Sequence, residues 1–304
     1  MTEYQPDIMI YHANCADGFG AAWAAWLKWG DKVQYVPASY GDAPPDVLGK
    51  HVLIGDFSYK ADGIRSLVGA ESVVILDHHK TALAELEPYR FAESSPGAIC
   101  AADVLGMLRD LATQNLPPII AIFDMDRSGA HMVWDFCFPA FALPPLVQLI
   151  EDRDLWRFSL PNTKAFNLWL RAEAFNFHRW GMINHELSDG TGGARIMAEA
   201  WAMHRFFDQK VEEIAQRVRH MRIGGHVVPA VNCPPEFCSE VAHAVLARHE
   251  DAAFAACYWD TRDGRSFSLR SDHAGQHRLD VSTIAAGYGG GGHRNAAGFS
   301  VPLP

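Results

Sequence analysis

The sequence predicts an α/β protein: an N-terminal doubly wound, mostly parallel sheet, joined by a helical linker to a smaller C-terminal α/β domain. Three observations predict it. In the first half, continuous apolar runs alternate with helix-like segments, as expected for parallel strands covered on both faces. From 195 to 222, a long charged stretch repeats Ile, Met, Phe and Val at three- and four-residue steps, the spacing of one helical face. Beyond it the runs shorten and the texture changes. The division that follows is 1–190, a linker over 191–222, and 223–304.

The elements follow in order. "IMIYH" (8–12) reads as a buried strand and "GFGAAWAAWLKWG" (18–30) as a helix. "VQYVP" (33–37) and "HVLIGDF" (51–57) are strands, 60–69 is helical, and "SVVIL" (72–76) is a strand. A helix over 99–115, the strand "IIAIF" (119–123) and the helix "SGAHMVWDF" (128–136) extend the alternation. The apolar-rich "LPPLVQLI" (143–150) is grouped with the strands, and "SDGTGG" (188–193) reads as a flexible turn. In the last part, "HVVPAVN", "AAFAACYW" and "SFSLR" read as strands, with the helix "EFCSEVAHAVLARH" between the first two.

Composition bounds the partners. With 49% hydrophobic and 20% charged residues among 304, the chain is of the soluble globular class. The 26 Lys and Arg against 36 Asp and Glu leave a net charge of −10, which argues against coating long duplex nucleic acid through charge. A small anionic substrate at a local basic or metal site remains compatible. No run approaches the roughly 18 apolar residues of a membrane span. The N-terminus shows no secretory pattern, and the six cysteines form no CxxC pair, so reduced thiols and a cytoplasmic location are expected.

Loops after parallel strands open at one sheet edge, where ligands bind. The polar residues there are His12 with Asp17 close behind, Asp56, the triplet Asp77-His78-His79, and, after 143–150, Glu151, Asp152 and Asp154. A single Asp at a strand end caps a helix more often than it binds an ion, and a single His more often packs. Several converging carboxylates, however, repel one another unless cations neutralise them. Mixed imidazole and carboxylate donors suit manganese or a related divalent ion better than calcium. Two ions sharing one bridging Asp would suit in-line attack on phosphorus.

A second signal is "IAAGYGGGGHRNAAGFSV" (284–301). Four consecutive glycines usually make a linker. Here they lie between apolar segments and precede His293 and Arg294, and glycine backbone can approach an anion closely. Arg262, Arg265, Arg270, His273, His277 and Arg278 make the preceding stretch locally basic, although a solvated face accounts for Arg262 and Arg265.

Taken in order, "YHANCADGFGAAWAAW", "IGDFS", "ILDHHKTA", "FDMDRSGAHMVW", "IEDRDLW", "SLRS" and "GGGGHRNAAGF" resemble the DHH phosphoesterase superfamily with its DHH-associated C-terminal domain. Its members include RecJ-type exonucleases, nano-RNases, pAp and cyclic-dinucleotide phosphodiesterases, and family II pyrophosphatases. The resemblance implies that His12 holds a first divalent ion and Asp17 a second, with Asp56 bridging. It implies that Asp77 orients, His78 ligates metal and His79 faces the scissile phosphate. It also implies a late metal-binding acid, Asp152 with Asp154 as the alternative, and a substrate-binding set of Arg270, Gly290, Gly291, Gly292 and His293. The implied ions are two, Mn2+ first, with Mg2+ or Co2+ as alternatives. The chain departs from the pattern at Cys15, where many relatives carry an Asp; a weakened first site, or one completed by water or Asn14, is expected. Asp126 is a supporting acid or a plain helix-start residue.

The expected activity is metal-dependent hydrolysis of phosphodiester bonds in short oligonucleotides or small nucleotides. The alternatives are a pAp, cyclic-dinucleotide or polyphosphate phosphohydrolase, and a non-catalytic nucleotide-binding protein. The expected partners are the small substrate and no long duplex or membrane, with a homodimer left open.

Overall fold

A computed structural model describes residues 3–91, 99–272 and 278–303; His273 and His277 of the basic stretch lie outside them. The chain forms two compact units, Met1–His204 and Arg205–Pro304. Among the described residues, no helix is long and apolar enough to cross a membrane.

The first unit runs β1 (Ile8–His12), α1 (Ala16–Trp29), β2 (Gln34–Ala38), β3 (His51–Gly55), α2 (Ala61–Ser66), β4 (Ser72–Asp77), α3 (Lys80–Glu85), α4 (Ala101–Thr113) and β5 (Ile119–Phe123). Five helices follow: α5 (Gly129–Cys137), α6 (Pro145–Asp154), α7 (Thr163–Leu170), α8 (Phe177–Ser188) and α9 (Gly190–Ala215), the last running across the division between the units. The sheet is wholly parallel in the order β2-β1-β3-β4-β5. Alternate residues of one strand feed opposite cores. Met9, Leu53 and Val74 pack with Ala21, Val104 and Val133. Ile10, Ile54 and Ile75 pack with Phe57, Ile64 and Leu86. Both faces are therefore apolar, which is why these strands read as unbroken hydrophobic runs.

Three expectations are corrected. The stretch 143–150 is not a strand: Pro145 opens α6, where proline's fixed φ and missing N–H cost nothing. Leu146, Val147, Leu149 and Ile150 then bury against Phe19, Phe166 and Trp180 at helical spacing. The segment 188–193 is not a flexible turn, because Asp189 accepts the Gly192 N–H at 3.0 Å and starts α9. The charged helix expected to 222 ends at Ala215. "RHMRI" instead forms β6 (Arg219–Ile223), folded onto β7 (His226–Asn232) through Gly224 and Gly225, both at positive φ as this two-residue hairpin requires.

The second unit continues with α10 (Cys238–Leu246), β8 (Ala255–Asp260), β9 (Arg265–Arg270), α11 (Val281–Ala286), β10 (Gly291–His293) and β11 (Ala296–Val301). Its six strands run β10-β11-β9-β8-β7-β6, antiparallel except for the parallel β7–β8 pair.

Candidate metal centre

The order β1-β3-β4 places three carboxyl ends side by side, carrying His12, then Asp56, then Asp77-His78-His79. Asp56 leaves β3 in the left-handed region at φ 55°, and its backbone N–H donates to the Leu76 carbonyl at 3.0 Å. Gly129 at the start of α5 lies against it. A methyl group there would overlap the Asp56 Cβ and come within 2.7 Å of its Cα, so only glycine allows the approach. Asp17, in the first turn of α1, accepts the Gly129 N–H at 2.6 Å and the Ala130 N–H at 3.1 Å. The positive end of α5 thus holds a buried carboxylate in place.

Three carboxylates surround one imidazole nitrogen. His78 Nε2 lies 3.1 Å from Asp56 Oδ1, 3.5 Å from Asp154 Oδ2 and 3.6 Å from Asp17 Oδ2. Burial pulls the His78 pKa down, but the Asp56, Asp154 and Asp17 carboxylates outweigh it and raise it to about 10. Burial and the neighbouring Asp56 and Asp154 push the Asp17 carboxyl well above the usual range. Burial likewise raises Asp154. His12 and His78 hold Asp56 well below the usual range against the opposing effect of burial. The three carboxylates thus favour positive charge at the point where they converge.

Asp77 has a separate task. Its Oδ1 accepts the backbone N–H groups of His78 and His79, at 2.8 and 3.2 Å, and meets His79 Nδ1 at 2.6 Å. Its Oδ2 accepts from Ser58 Oγ at 2.5 Å. The carboxylate therefore fixes the backbone turn and the His79 ring together. His12 Nδ1 stands 3.6 Å from Asp56 Oδ2. The donor atoms of His12, Cys15 and Asp56 lie within 4.8 Å of one another, as do those of Asp17, Asp56 and His78. Asp56 belongs to both groups. Burial first, then Asp56, Asp154 and Asp17, push the Cys15 thiol well above its ordinary value, so it is a neutral thiol.

The structure separates the two late acids. Asp152, preferred from the sequence, lies outside the cluster. Its Oδ1 accepts from Ser159 N at 2.8 Å and Ser159 Oγ at 2.6 Å, and its Oδ2 from Leu160 N at 3.1 Å and Thr163 Oγ1. It ties the 159–163 loop to α6. Asp154, the alternative, is the acid that reaches His78. Asp126 is exposed and also lies outside the cluster, its N–H bonded to Asp124 Oδ1 at 2.9 Å.

In the second unit, Arg270 Nη1 donates to Ser268 Oγ and the Leu269 carbonyl, both at 2.9 Å, and Nη2 to Ser239 Oγ at 2.8 Å. Gly291, Gly292 and His293 form β10, paired with β11. A methyl group on Gly290 would overlap the Gly298 carbonyl and reach within 2.7 Å of Phe299 Cβ; one on Gly292 would lie 2.8 Å from Ala297 Cα. These two glycines are required by the strand pairing whether or not a ligand binds.

Sequence reasoning missed the ionic rim behind α5. His131 bonds Glu151 through Nδ1 and lies 3.3 Å from Asp135 through Nε2. Arg127 reaches both Asp124 and Asp135 at 2.7 Å, and Arg157 reaches Glu151 at 3.0 Å. The signal was the pair His131 and Asp135, one helical turn apart in a stretch valued only for its helix start.

No family model matches the chain. An uncharacterized protein of Acanthamoeba polyphaga mimivirus is 28% identical over 97% of this chain and 68% of its own length. Among solved structures, the pGpG-specific phosphodiesterase PggH from Vibrio cholerae aligns at 14% identity and a TM-score of 0.47, over 97% of this chain and 93% of its own. RecJ from Thermus thermophilus, solved with Mn2+, aligns at 13% identity and a TM-score of 0.45, over 98% of this chain and 50% of its own.

Proposed function

We propose that the chain is a divalent-metal-dependent phosphoesterase of the DHH type, hydrolysing phosphodiester bonds of short oligonucleotides or small nucleotides. The observation that carries the proposal is the convergence on His78, just after β4, of Asp17 from α1, Asp56 from the end of β3 and Asp154 from the end of α6. The donor set fits a divalent ion. Asp56 Oδ2 and Asp154 Oδ2 are buried with no hydrogen bond among the described residues, a costly state for carboxylate oxygens unless a cation takes them. Oxygen and imidazole donors together suit Mn2+, with Mg2+ or Co2+ as alternatives.

His12 and Asp56 would hold one ion; Asp17, Asp56, His78 and Asp154 would hold the other, with Asp56 shared. Divalent ions there would supply a nucleophilic water at neutral pH and offset charge on the phosphoryl oxygens. The chain's own residues do the rest. Asp77 occupies Nδ1 of His79, so Nε2 is the atom that would donate to a non-bridging phosphoryl oxygen as charge develops. Asp77 also keeps the two histidines in register by holding both backbone N–H groups. Arg270, Gly290, Gly291, Gly292 and His293 are proposed to take the substrate's phosphate or terminal nucleotide. At Cys15, where many relatives carry an Asp, the first ion's position would be weakened or completed by water or Asn14.

A manganese-supplemented screen over di- to pentanucleotides, pAp, cyclic dinucleotides and polyphosphate tests the proposal. Release of mononucleotide or phosphate that stops in Asp56→Asn is the expected result. No turnover of any of these substrates, with no divalent ion bound by the purified protein, would overturn it.

A further inference from the structure

Three of the chain's six cysteines meet in the second unit. Cys233 follows β7, Cys238 opens α10, and Cys257 lies in β8, facing Val231 across the parallel pair. All three are buried among Val231, Val241, Val245 and Leu246. Their sulfurs lie within 4.8 Å of one another, with Cys233 Sγ and Cys238 Sγ 3.7 Å apart.

Cysteine packs well as a small apolar residue, and a single buried cysteine would need no other account. Three sulfurs closing on one point, drawn from a loop, a helix start and a strand, are a donor set. Zinc–sulfur bonds of about 2.3 Å at tetrahedral angles place neighbouring sulfurs about 3.8 Å apart, close to the 3.7 Å between Cys233 and Cys238. A disulfide would need about 2.05 Å. The spacing Cys233-Pro-Pro-Glu-Phe-Cys238 is a C-x4-C, within the range of structural zinc sites. The two prolines fix φ in the intervening loop and so limit the entropy that ion binding would otherwise cost.

Charge selects the ion. Three thiolates with a divalent cation leave one negative charge, and with a monovalent cation two. Cys238 sits at the positive end of a nine-residue helix, and the Arg270 guanidinium bonds Ser239, the next residue, at 2.8 Å. Arg270 offsets the remaining negative charge at Cys238, while Glu236 in the intervening loop opposes it at Cys233, so the smaller residual charge of the divalent case is favoured.

We propose that Cys233, Cys238 and Cys257 form a thiolate site for a single zinc ion, which ties the end of β7, the start of α10 and β8 together. The site is separate from the His and Asp cluster of the first unit and does not depend on the function proposed for it. Three sulfurs leave the fourth position to a water or small thiol. Binding removes the thiol protons to solvent and involves no redox change.

The test uses the full chain, reduced and freed of metal, then loaded with Co2+ as a spectroscopic substitute. A sulfur-to-cobalt charge-transfer band is expected. It should persist in Cys15→Ser and in Asp56→Asn, which alter the other cluster, and vanish in Cys257→Ser. Because a cysteine variant can fail to fold, a second measurement uses the wild-type chain alone. Each cysteine's alkylation rate is followed by mass spectrometry with Zn2+ and with a chelator. Cys233, Cys238 and Cys257 should react at least about tenfold more slowly with zinc, since bound ligand suppresses opening, while Cys100 is unchanged. Absence of the band in wild type, its loss in Cys15→Ser, or equal alkylation rates with and without zinc would each overturn the proposal.

Discussion

Exchanging two acids two residues apart on α6 should separate folding from metal binding. Asp152→Ala leaves four donors without their acceptor: the Ser159 and Leu160 N–H groups, and the Ser159 and Thr163 hydroxyls. Ser159 and Leu160 are exposed and can turn to water, whereas Thr163 is 2% exposed and cannot. Hydrogen bonds to a charged acceptor contribute about 1.5–3 kcal/mol each when no water replaces them. Allowing for rehydration of the exposed donors, the loss is about 3 kcal/mol, or roughly 6–12 °C in Tm for a unit of this size. Asp154→Asn acts in the opposite sense. It removes one of three carboxylates facing His78 and breaks no hydrogen bond of the buried Oδ2 among the described residues. The metal-free Tm should therefore hold or rise by a few degrees. Manganese at 100 times its dissociation constant should stabilise wild type by about 2.7 kcal/mol. Asp154→Asn should lose that gain together with about 100-fold or more in kcat, the scale of removing one group that offsets transition-state charge. Thermal melts with and without Mn2+, run beside turnover, read all four quantities. Wild-type turnover and a wild-type manganese shift in Asp154→Asn would refute the assignment. So would an Asp152→Ala protein that melts normally but no longer responds to manganese.

Other expectations use the same assays. Burial opposes protonation of His131, but its bonds to Asp135 and Glu151 prevail and lift its pKa from 6.5 to about 9. A raised histidine pKa stabilises fully below about pH 6.5, where folded and unfolded chains both carry the proton, and that contribution disappears as pH rises through about 9. With the side chain 21% exposed on an ionic rim, solvent screening reduces the effect to about 1–2 kcal/mol. His131→Gln should thus lower Tm at pH 6 and match wild type at pH 10; a pH-independent difference would refute this. Gly129→Ala should displace Asp56 and cut kcat by about 10-fold or more, since small misplacements of reacting groups are costly, and an unchanged rate would show that α5 can back away. Arg270→Ala should raise KM more than it lowers kcat if the residue supplies uniform substrate binding. A pure kcat loss would move Arg270 to the reacting phosphate.

The acids of α6 also show why part of the site was legible and part was not. His12, Asp56 and Asp77 to His79 stand out because parallel strands covered on both faces are apolar throughout, so the first polar residue marks the strand end. That rule failed at 143–150, where a short apolar run beside prolines has the composition of a strand and the spacing of a helix. On a strand, Asp152 and Asp154 would share a face, so the preference for Asp152 rests on the family resemblance and not on geometry. On a helix they point about 200° apart, at 100° per residue, so one faces the 159–163 loop and the other faces His78. Only the packing of Leu146, Val147 and Ile150 decides which. The charged "RHMRI" had no strand pattern because β6 is an edge whose partner is reached through two glycines. The three buried cysteines were hidden for a related reason. Cys233 and Cys257 are brought together by the register that pairs Val231 with Cys257, across 23 intervening residues that include α10. Local spacing can show a ligand pair such as Cys233 and Cys238, but the third sulfur becomes a neighbour only once β8 has paired with β7. If zinc binds there, the ion would therefore report on completed pairing of this sheet, and its uptake should follow the folding of the second unit.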